Sequence, residues 1–513
     1  MDLFSLSLLL LIIILSVISL YLYYYQYQLN VPQLSHQIGF KNYPLLGAIP
    51  GFLRNRHKFL QWTTEMLRYS PTNTAVFFRP HNFYGVITAN PLNVEHMLKT
   101  NFENYPKGDQ FISLLDDFLG RGIFNSDGEL WHVQRKTASY EFNTKSLRNF
   151  ILQNVVVEIK TRLVPVLEKA SELGQVLDIQ DVLERFAFDN VCKLAFNVDM
   201  GCLGSVGEGA VIGTHFMAAF QEAATLSCDR FFYVFPPLLK IKKFLSIGSE
   251  RRLKTAVFAV HKFADNIIRS RLESKKEEIG EEDLLSRFIE NDDNSPEYLR
   301  DIVISFILAG RDTTSSALTW FFWLISTRPG IQEKILNELE AIRVRTGKRI
   351  GDTYGIDELK DMNYLQAGIY ESMRLFPPVP IDTKASVNEE IFPDGTFVGI
   401  GWMVICQTYA MGRMESIWGK DCEEFKPERW LENGVFKQES PFRYPVFHAG
   451  PRICLGKEMA IIQMKSIAAS VIERFEFDAV CKDTCPNFVM ALTLRMKGGL
   501  PVTMRVRKTT LPN

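Results

Sequence analysis

One cysteine constrains this chain more than any other residue. In Phe447-His448-Ala449-Gly450-Pro451-Arg452-Ile453-Cys454-Leu455-Gly456, Cys454 stands just before Lys457 to Phe475, whose apolar spacing is that of an amphipathic helix. Gly450 and Pro451 make a turn, and Gly456 lets the backbone run close to a flat ligand. The spacing therefore predicts a thiol at a helix N-terminus, where unpaired backbone N–H groups lower its pKa and favour the metal-binding thiolate. Arg452 is placed to meet a carboxylate. The ordinary alternative is a buried free cysteine in a glycine turn, since free Cys is among the most buried residue types.

The pattern resembles F-x-x-G-x-R-x-C-x-G, the haem-binding signature of the cytochrome P450 family, with Phe447, Gly450, Arg452, Cys454 and Gly456 at the fixed positions. The resemblance implies haem b, with Cys454 as the axial thiolate ligand of its iron. Other stretches carry the same likeness. Trp131 and Arg135 lie four apart on a helix expected to start near Ser126 and so share a face. They resemble the family's W-x-x-x-R, which with Arg452 implies a seat for the haem propionates, a task suited to a guanidinium's paired donors.

Leu299 to Ser326 reads as a long apolar helix interrupted by Ala309-Gly310-Arg311-Asp312-Thr313-Thr314. Glycine inside a helix costs about 1 kcal/mol relative to alanine, so the interruption points either to function or to a packing glycine with a back-bonding threonine. The hexapeptide resembles the family's oxygen-activation motif. The resemblance implies room for dioxygen at Ala309 and Gly310, a working hydroxyl on Thr313 and proton relay through Asp312. Glu371 and Arg374 form an i, i+3 pair on a helix ending before Pro377-Pro378. Alone they are a solvated salt bridge, but they resemble the family's E-x-x-R, whose partner Arg429 lies in Pro427-Glu428-Arg429-Trp430. That likeness implies a structural brace.

Leu3 to Tyr25 carries no charge and is long enough at about 1.5 Å per residue to cross a hydrocarbon core of about 30 Å. Lys41, Arg54, Arg56 and Lys58 follow it, so the positive-inside rule puts the remainder in the cytosol. Residues 1–30 are expected to be a membrane anchor, 31–50 a Pro/Gly hinge around Tyr43 to Gly47, and 51–513 one catalytic domain. The resemblance adds the endoplasmic reticulum membrane as location. The expected fold is mainly α with a small β region: a hairpin from Thr74 to Phe78 and Gly85 to Thr88, strands after Pro377, and helices elsewhere. Lys275 to Pro296, charged and turn-rich, reads as a solvated helix end and loop.

The 58 basic and 59 acidic residues nearly cancel and give no reason to expect nucleic acid. Eight cysteines without a CxxC pair suit a reducing compartment, and Cys481 and Cys485 lack the second pair a zinc site needs.

The family resemblance implies a monooxygenase fed with NADPH electrons by a membrane-bound NADPH–cytochrome P450 reductase, inserting one atom of O2 into a C–H bond. Lys136, Lys145, Arg148 and Lys457 are its expected docking contacts. PPVP-x-D-x-K, from Pro377 to Lys384, and the following PDGT resemble the plant clan of fatty-acid omega-hydroxylases and its relatives acting on jasmonate conjugates and sterol side chains. The substrate expected is lipid-like, oxidised at its terminal carbon, with Ile123, Ala309, Val379, Ile381 and Leu492 facing it. A jasmonate–amino acid hydroxylase, a haem-thiolate isomerase or dehydratase acting on a lipid peroxide, and a non-catalytic haem sensor are the alternatives.

Overall fold

The computed structural model describes residues 10–21, 23, 39–43, 46–80, 83–142, 154–204, 208–233, 236–276, 283–290, 294–482 and 484–508. Backbone proximity divides the chain into two units, Met1–Pro106 with Ile381–Met414, and Lys107–Pro380 with Glu415–Asn513.

The first unit holds helix α1 (Phe59–Tyr69) and strands β1 (Thr74–Arg79), β2 (Phe83–Thr88), β3 (Asp382–Ala385) and β4 (Met403–Cys406). The expected hairpin forms, with Thr74 opposite Thr88 and Arg79 opposite Phe83. The sheet grows by a parallel β2–β4 pairing and an antiparallel β3–β4 pairing, giving the order β1-β2-β4-β3. Phe40, Phe52 and Phe77 form its aromatic core, with ring centroids 5.2 to 5.9 Å apart. Of the Pro/Gly stretch, Pro44 and Leu45 lie outside the described residues. Tyr43 and Gly47 exchange backbone hydrogen bonds of 2.8 Å. Gly47 has φ +54°, and a side chain there would collide with Phe78, so only glycine closes this turn.

The second unit is mainly helical. Its helices include α2 (Gly108–Leu119), α3 (Gly128–Ser139), α4 (Ile179–Phe196), α5 (Glu208–Asp229), α6 (Ser249–Lys276), α7 (Leu284–Ile289), α8 (Pro296–Ile307), α9 (Thr313–Ser326), α10 (Asn363–Leu375) and α11 (Lys457–Arg474). Strands β5 (Phe475–Ala479), β6 (Phe488–Met490), β7 (Leu494–Met496) and β8 (Pro501–Val506) complete it; β8 pairs with β5 and with Leu177–Asp178, while β6 pairs with β7. Phe118, Phe188, Phe216, Phe220, Phe263 and Ile304, from α2, α4, α5, α6 and α8, share one apolar core. Within it the rings of Phe216 and Phe263 stack at 4.0 Å.

Two differences from expectation have local causes. The apparent solvated loop from Lys275 contains α7, whose Leu284, Leu285, Phe288 and Ile289 enter the core. Asp283 starts this helix by accepting the Ser286 backbone N–H at 2.7 Å, a side-chain cap that the surrounding charges obscured. The interrupted helix from Leu299 is continuous but passes through a π-turn, Leu308–Asp312, between α8 and α9. Such an inserted residue turns side chains that a regular helix would place elsewhere.

Within the expected membrane span, residues 10–21 and Tyr23 are helical, and residues 3–9, Leu22, Tyr24 and Tyr25 lie outside the described residues. Among the described residues no helix is long and apolar enough to cross a membrane.

Candidate active site

Helix α11 begins as its sequence requires, with Gly456 at the N-cap and Cys454 immediately before the first turn. The loop is closed by the Cys454 N–H donating to Phe447 O at 2.8 Å, and by Gly450 at φ +64°. His448, which sequence reasoning passed over, sits at φ +60°, ψ −176°. That region is essentially reserved for glycine, and holding a histidine there costs about 1–3 kcal/mol. No local signal in the sequence announces this strain.

The Cys454 side chain is exposed, yet burial pushes its thiol pKa up, opposed by the Gly456 N–H, Arg135 and Lys457. The helix-end charges expected to lower it are present but are outweighed by desolvation. Ile453, beside the cysteine, is 38% exposed. A single exposed thiol before a helix N-terminus, with the Gly456 N–H, Arg135 and Lys457 acting on it, fits a thiolate-ligated group such as haem.

Positive charge gathers at one side of the loop. Arg452 lies 4.3 Å over the Trp131 ring, and Arg135, on the same face of α3, lies 5.9 Å from that ring. Arg135 Nη2 donates to Ile453 O at 2.8 Å. The carboxylate that Arg452 meets in this structure is Asp127, at 2.7 Å, with the Ser126 carbonyl at 2.9 Å. Asp127 precedes α3 and was not singled out in the sequence.

Packing joins this loop to the π-turn. A side chain at Gly456 would touch the Phe142 ring at 3.4 Å, and Phe142 lies against Phe306 of α8, centroids 6.4 Å apart. Leu455 packs against the core cluster containing Leu308. In the turn, Thr313 Oγ1 donates to Ala309 O at 2.6 Å, and both residues are half-buried. Gly310 departs from expectation. A Cβ there would lie 2.5 Å from Val191 Cγ2 of α4, so its missing side chain makes room for a helix neighbour and not for a ligand. Asp312 is buried and its carboxyl is pushed up to about 6, chiefly by burial and also by Glu184, with Arg311 and Arg495 opposing.

Ile123 follows a loop pressed onto α8: Arg121 N–H donates to Asp301 at 2.8 Å, and side chains at Gly120 or Gly122 would strike Asp301 and Ser305. Close in sequence to Val379 and Leu492, Leu494 N–H donates to Pro378 O at 2.8 Å. Ile381 belongs to the first unit.

Glu371 and Arg374 are not solvated. Their side chains are 0% exposed and doubly bonded, Nε at 2.7 Å and Nη2 at 2.8 Å. Glu371 also accepts from Arg429 Nε, Lys426 N and Trp430 Nε1. Its neighbour Tyr370 packs on Phe447, centroids 6.2 Å apart.

This cysteine loop, π-turn and buried glutamate–arginine knot lie within residues 39–500, all matched by the family model Cytochrome P450. The chain belongs to the cytochrome P450 family. It is 51% identical over 460 residues to Cytochrome P450 CYP94D108 of Paris polyphylla, covering 90% of each chain. To Cytochrome P450 94A1 of Vicia sativa it is 44% identical over 477 residues, 91% of this chain and 90% of the relative. To Cytochrome P450 94C1 of Arabidopsis thaliana it is 48% identical over 457 residues, 87% and 89% respectively. The protein is thus a P450 monooxygenase with haem as cofactor, O2 as co-substrate and a reductase as electron source.

Proposed function

We propose that this P450 hydroxylates the terminal carbon of a lipid-like substrate, a fatty acid or a steroid side chain, while anchored by one span in the endoplasmic reticulum membrane with its catalytic part in the cytosol. The uncharged stretch Leu3 to Tyr25 and the basic residues after it support the anchor. The likeness of Pro377 to Lys384 to the plant omega-hydroxylase clan supports the substrate class.

Haem, when bound, supplies O2 activation and C–H oxidation, using electrons that the reductase takes from NADPH. Cys454 would hold it through its thiolate sulfur, in the loop shaped by Phe447, Gly450 and Gly456. Arg135 and Arg452, over Trp131, offer guanidinium donors to its carboxylates, with Arg452 shared between them and Asp127. Asp312 holds a proton and yields it; a carboxyl near pH 6 does both at cytosolic pH. The Thr313 hydroxyl passes the proton on, and its bond to Ala309 O fixes where that hydroxyl stands. Glu371, Arg374 and Arg429 keep the surrounding segments in place.

The observation that supports the terminal selectivity is the Leu494–Pro378 backbone bond, which ties the segment before Val379 to the segment after Leu492. A terminal methyl is harder to oxidise than an internal methylene, so reactivity cannot select it and geometry must. Holding one carbon within about 3–3.5 Å of the reacting atom while walls exclude its neighbours is enough to reverse such a preference.

The test is aerobic turnover with NADPH and reductase on fatty acids, sterols with flexible side chains and jasmonate–amino acid conjugates, with product positions read by mass spectrometry. Terminal products from the first two classes are expected. Oxidation only of the jasmonate conjugates would move the substrate class, and in-chain or ring hydroxylation throughout would refute terminal selection.

A further inference from the structure

Asp312 is enclosed, so a relay that uses it needs protons from outside. Beside it lies a polar cavity of about 10 Å³, room for about one water, whose lining includes Asp312, Glu184, Arg495 and the hydroxyls of Ser315 and Thr493. The charges there form a chain. Arg311 donates through Nη1 to Asp312 Oδ1 at 2.8 Å and through Nη2 to Glu184 Oε2 at 3.3 Å. Arg495 donates to Glu184 through Nε at 2.7 Å and Nη2 at 3.2 Å. Exposure falls along it, from 31% for Arg495 to 1% for Arg311 and 5% for Asp312. Arg311 Nε is also buried and has no hydrogen-bond partner among the described residues.

Glu184 thus occupies two guanidinium groups. Were it neutral, both would act on Asp312 alone, and a carboxylate held by two cations takes up protons poorly. We propose that Glu184 is a positioning residue for proton uptake: by engaging Arg311 and Arg495 it keeps the Asp312 carboxylate able to accept a proton from water reaching the cavity past Arg495. This rests on the reading of Asp312 and Thr313 as the relay. A hydronium ion gives its proton to Asp312 and remains as water, so atoms and charge balance and no electrons move.

The charged groups acting on Asp312 are Arg311 on its own turn, Glu184 on α4 and Arg495 on β7; from α5 the neutral Gln221 lines the cavity. Their signs predict opposite responses. Removing the charge of Glu184 lowers the Asp312 midpoint, and removing that of Arg495 raises it.

The test uses the full-length haem-loaded protein in its resting oxidised state, without reductase or substrate. Protonated Asp312 is followed by its infrared carbonyl band, assigned through loss in Asp312→Asn. Glu184→Gln should lower the midpoint by about one pH unit, a tenfold smaller protonated fraction at neutral pH, while Glu184→Asp keeps it close to that of the unmodified protein. Arg495→Gln, at a partly exposed site, should raise the midpoint and gives an answer even if Glu184→Gln folds poorly. In turnover, Glu184→Gln should release more peroxide per NADPH at neutral pH and recover on acidification. A midpoint unmoved by Glu184→Gln overturns the proposal, as do shifts of the same sign in both charge variants, which simple loosening would give. If the midpoints move as expected but Asp312→Asn leaves coupling of NADPH to product intact, the relay reading fails and the electrostatic coupling stands.

Discussion

Glu371→Gln is the substitution with the largest expected effect on the frame around Cys454. The amide keeps the shape of the carboxylate but removes its charge and replaces one acceptor oxygen with an N–H donor, which then faces either Arg374 Nε and Trp430 Nε1 or Arg374 Nη2, Arg429 Nε and Lys426 N, all of which donate. Arg374 keeps its bonds to Cys422 O at 2.5 Å and Glu424 O at 2.8 Å, so the loss falls on the charged contact itself. Removing one member of a fully buried pair costs about 3–5 kcal/mol, a large part of the roughly 5–15 kcal/mol that holds a domain folded. With a urea slope of about 3 kcal/mol per molar, the midpoint should fall by about 1–1.7 M. Urea titration of the detergent-solubilised full chain, followed by far-ultraviolet circular dichroism and the haem absorption, reads this directly. Glu432→Gln, in an exposed pair with Lys437 whose side chains are 63% and 67% exposed, is the control and should hardly move it. If Glu371→Gln lowers the midpoint no more than the control, the glutamate–arginine knot is not what holds these segments.

Cys454→Ser should abolish the long-wavelength Soret band of the reduced, CO-bound protein; a normal band in that variant would exclude Cys454 as ligand. Thr313→Ala should keep haem and substrate binding while NADPH is diverted to peroxide and product formation falls by about a hundred- to ten-thousand-fold, and unchanged coupling would count against the hydroxyl. Lys136 is exposed on α3 and Lys457 half-buried at the start of α11, whereas Lys145 and Arg148 lie outside the described residues. Lys136→Glu should slow haem reduction by the reductase most at low salt, and a rate indifferent to ionic strength would place the docking face elsewhere. Val379→Ala with Leu492→Ala should shift product toward in-chain carbons, measured by mass spectrometry; an unaltered product ratio would remove these residues from the wall.

The parts of the site legible in the sequence were those whose chemistry is local. Helix α11 is predicted to end at Phe475 and ends at Arg474, and the π-turn coincides with the polar interruption at Ala309 to Thr314. Gly450, Pro451 and Gly456 shape the Cys454 loop through backbone geometry that needs no distant partner. The unread parts depend on distance along the chain. Glu184 stands 127 residues from Arg311 and 311 from Arg495, and Asp127 stands 325 from Arg452. Nothing in the neighbourhood of an isolated acid reveals which cation it will meet. Arg311 was the available clue, since a charge amid Ile302 to Ile325 must find a buried partner. The desolvation of the Cys454 thiol is hidden for a related reason: a helix end is visible in sequence, whereas burial is set by the whole fold.

Gly310 separates two demands that a single helical turn would otherwise confuse. Its hydrogen faces Val191 so closely that a methyl group would fall 2.5 Å from one carbon and 2.9 Å from the next, while Ala309 and Thr313 remain half-buried. One position on the turn therefore acts as a spacer between α4 and the π-turn, and the others are left to chemistry. Gly310 and Val191 are thus one unit of volume: Gly310→Ala is expected to be tolerated when Val191→Ala accompanies it, and alone to force the helices apart.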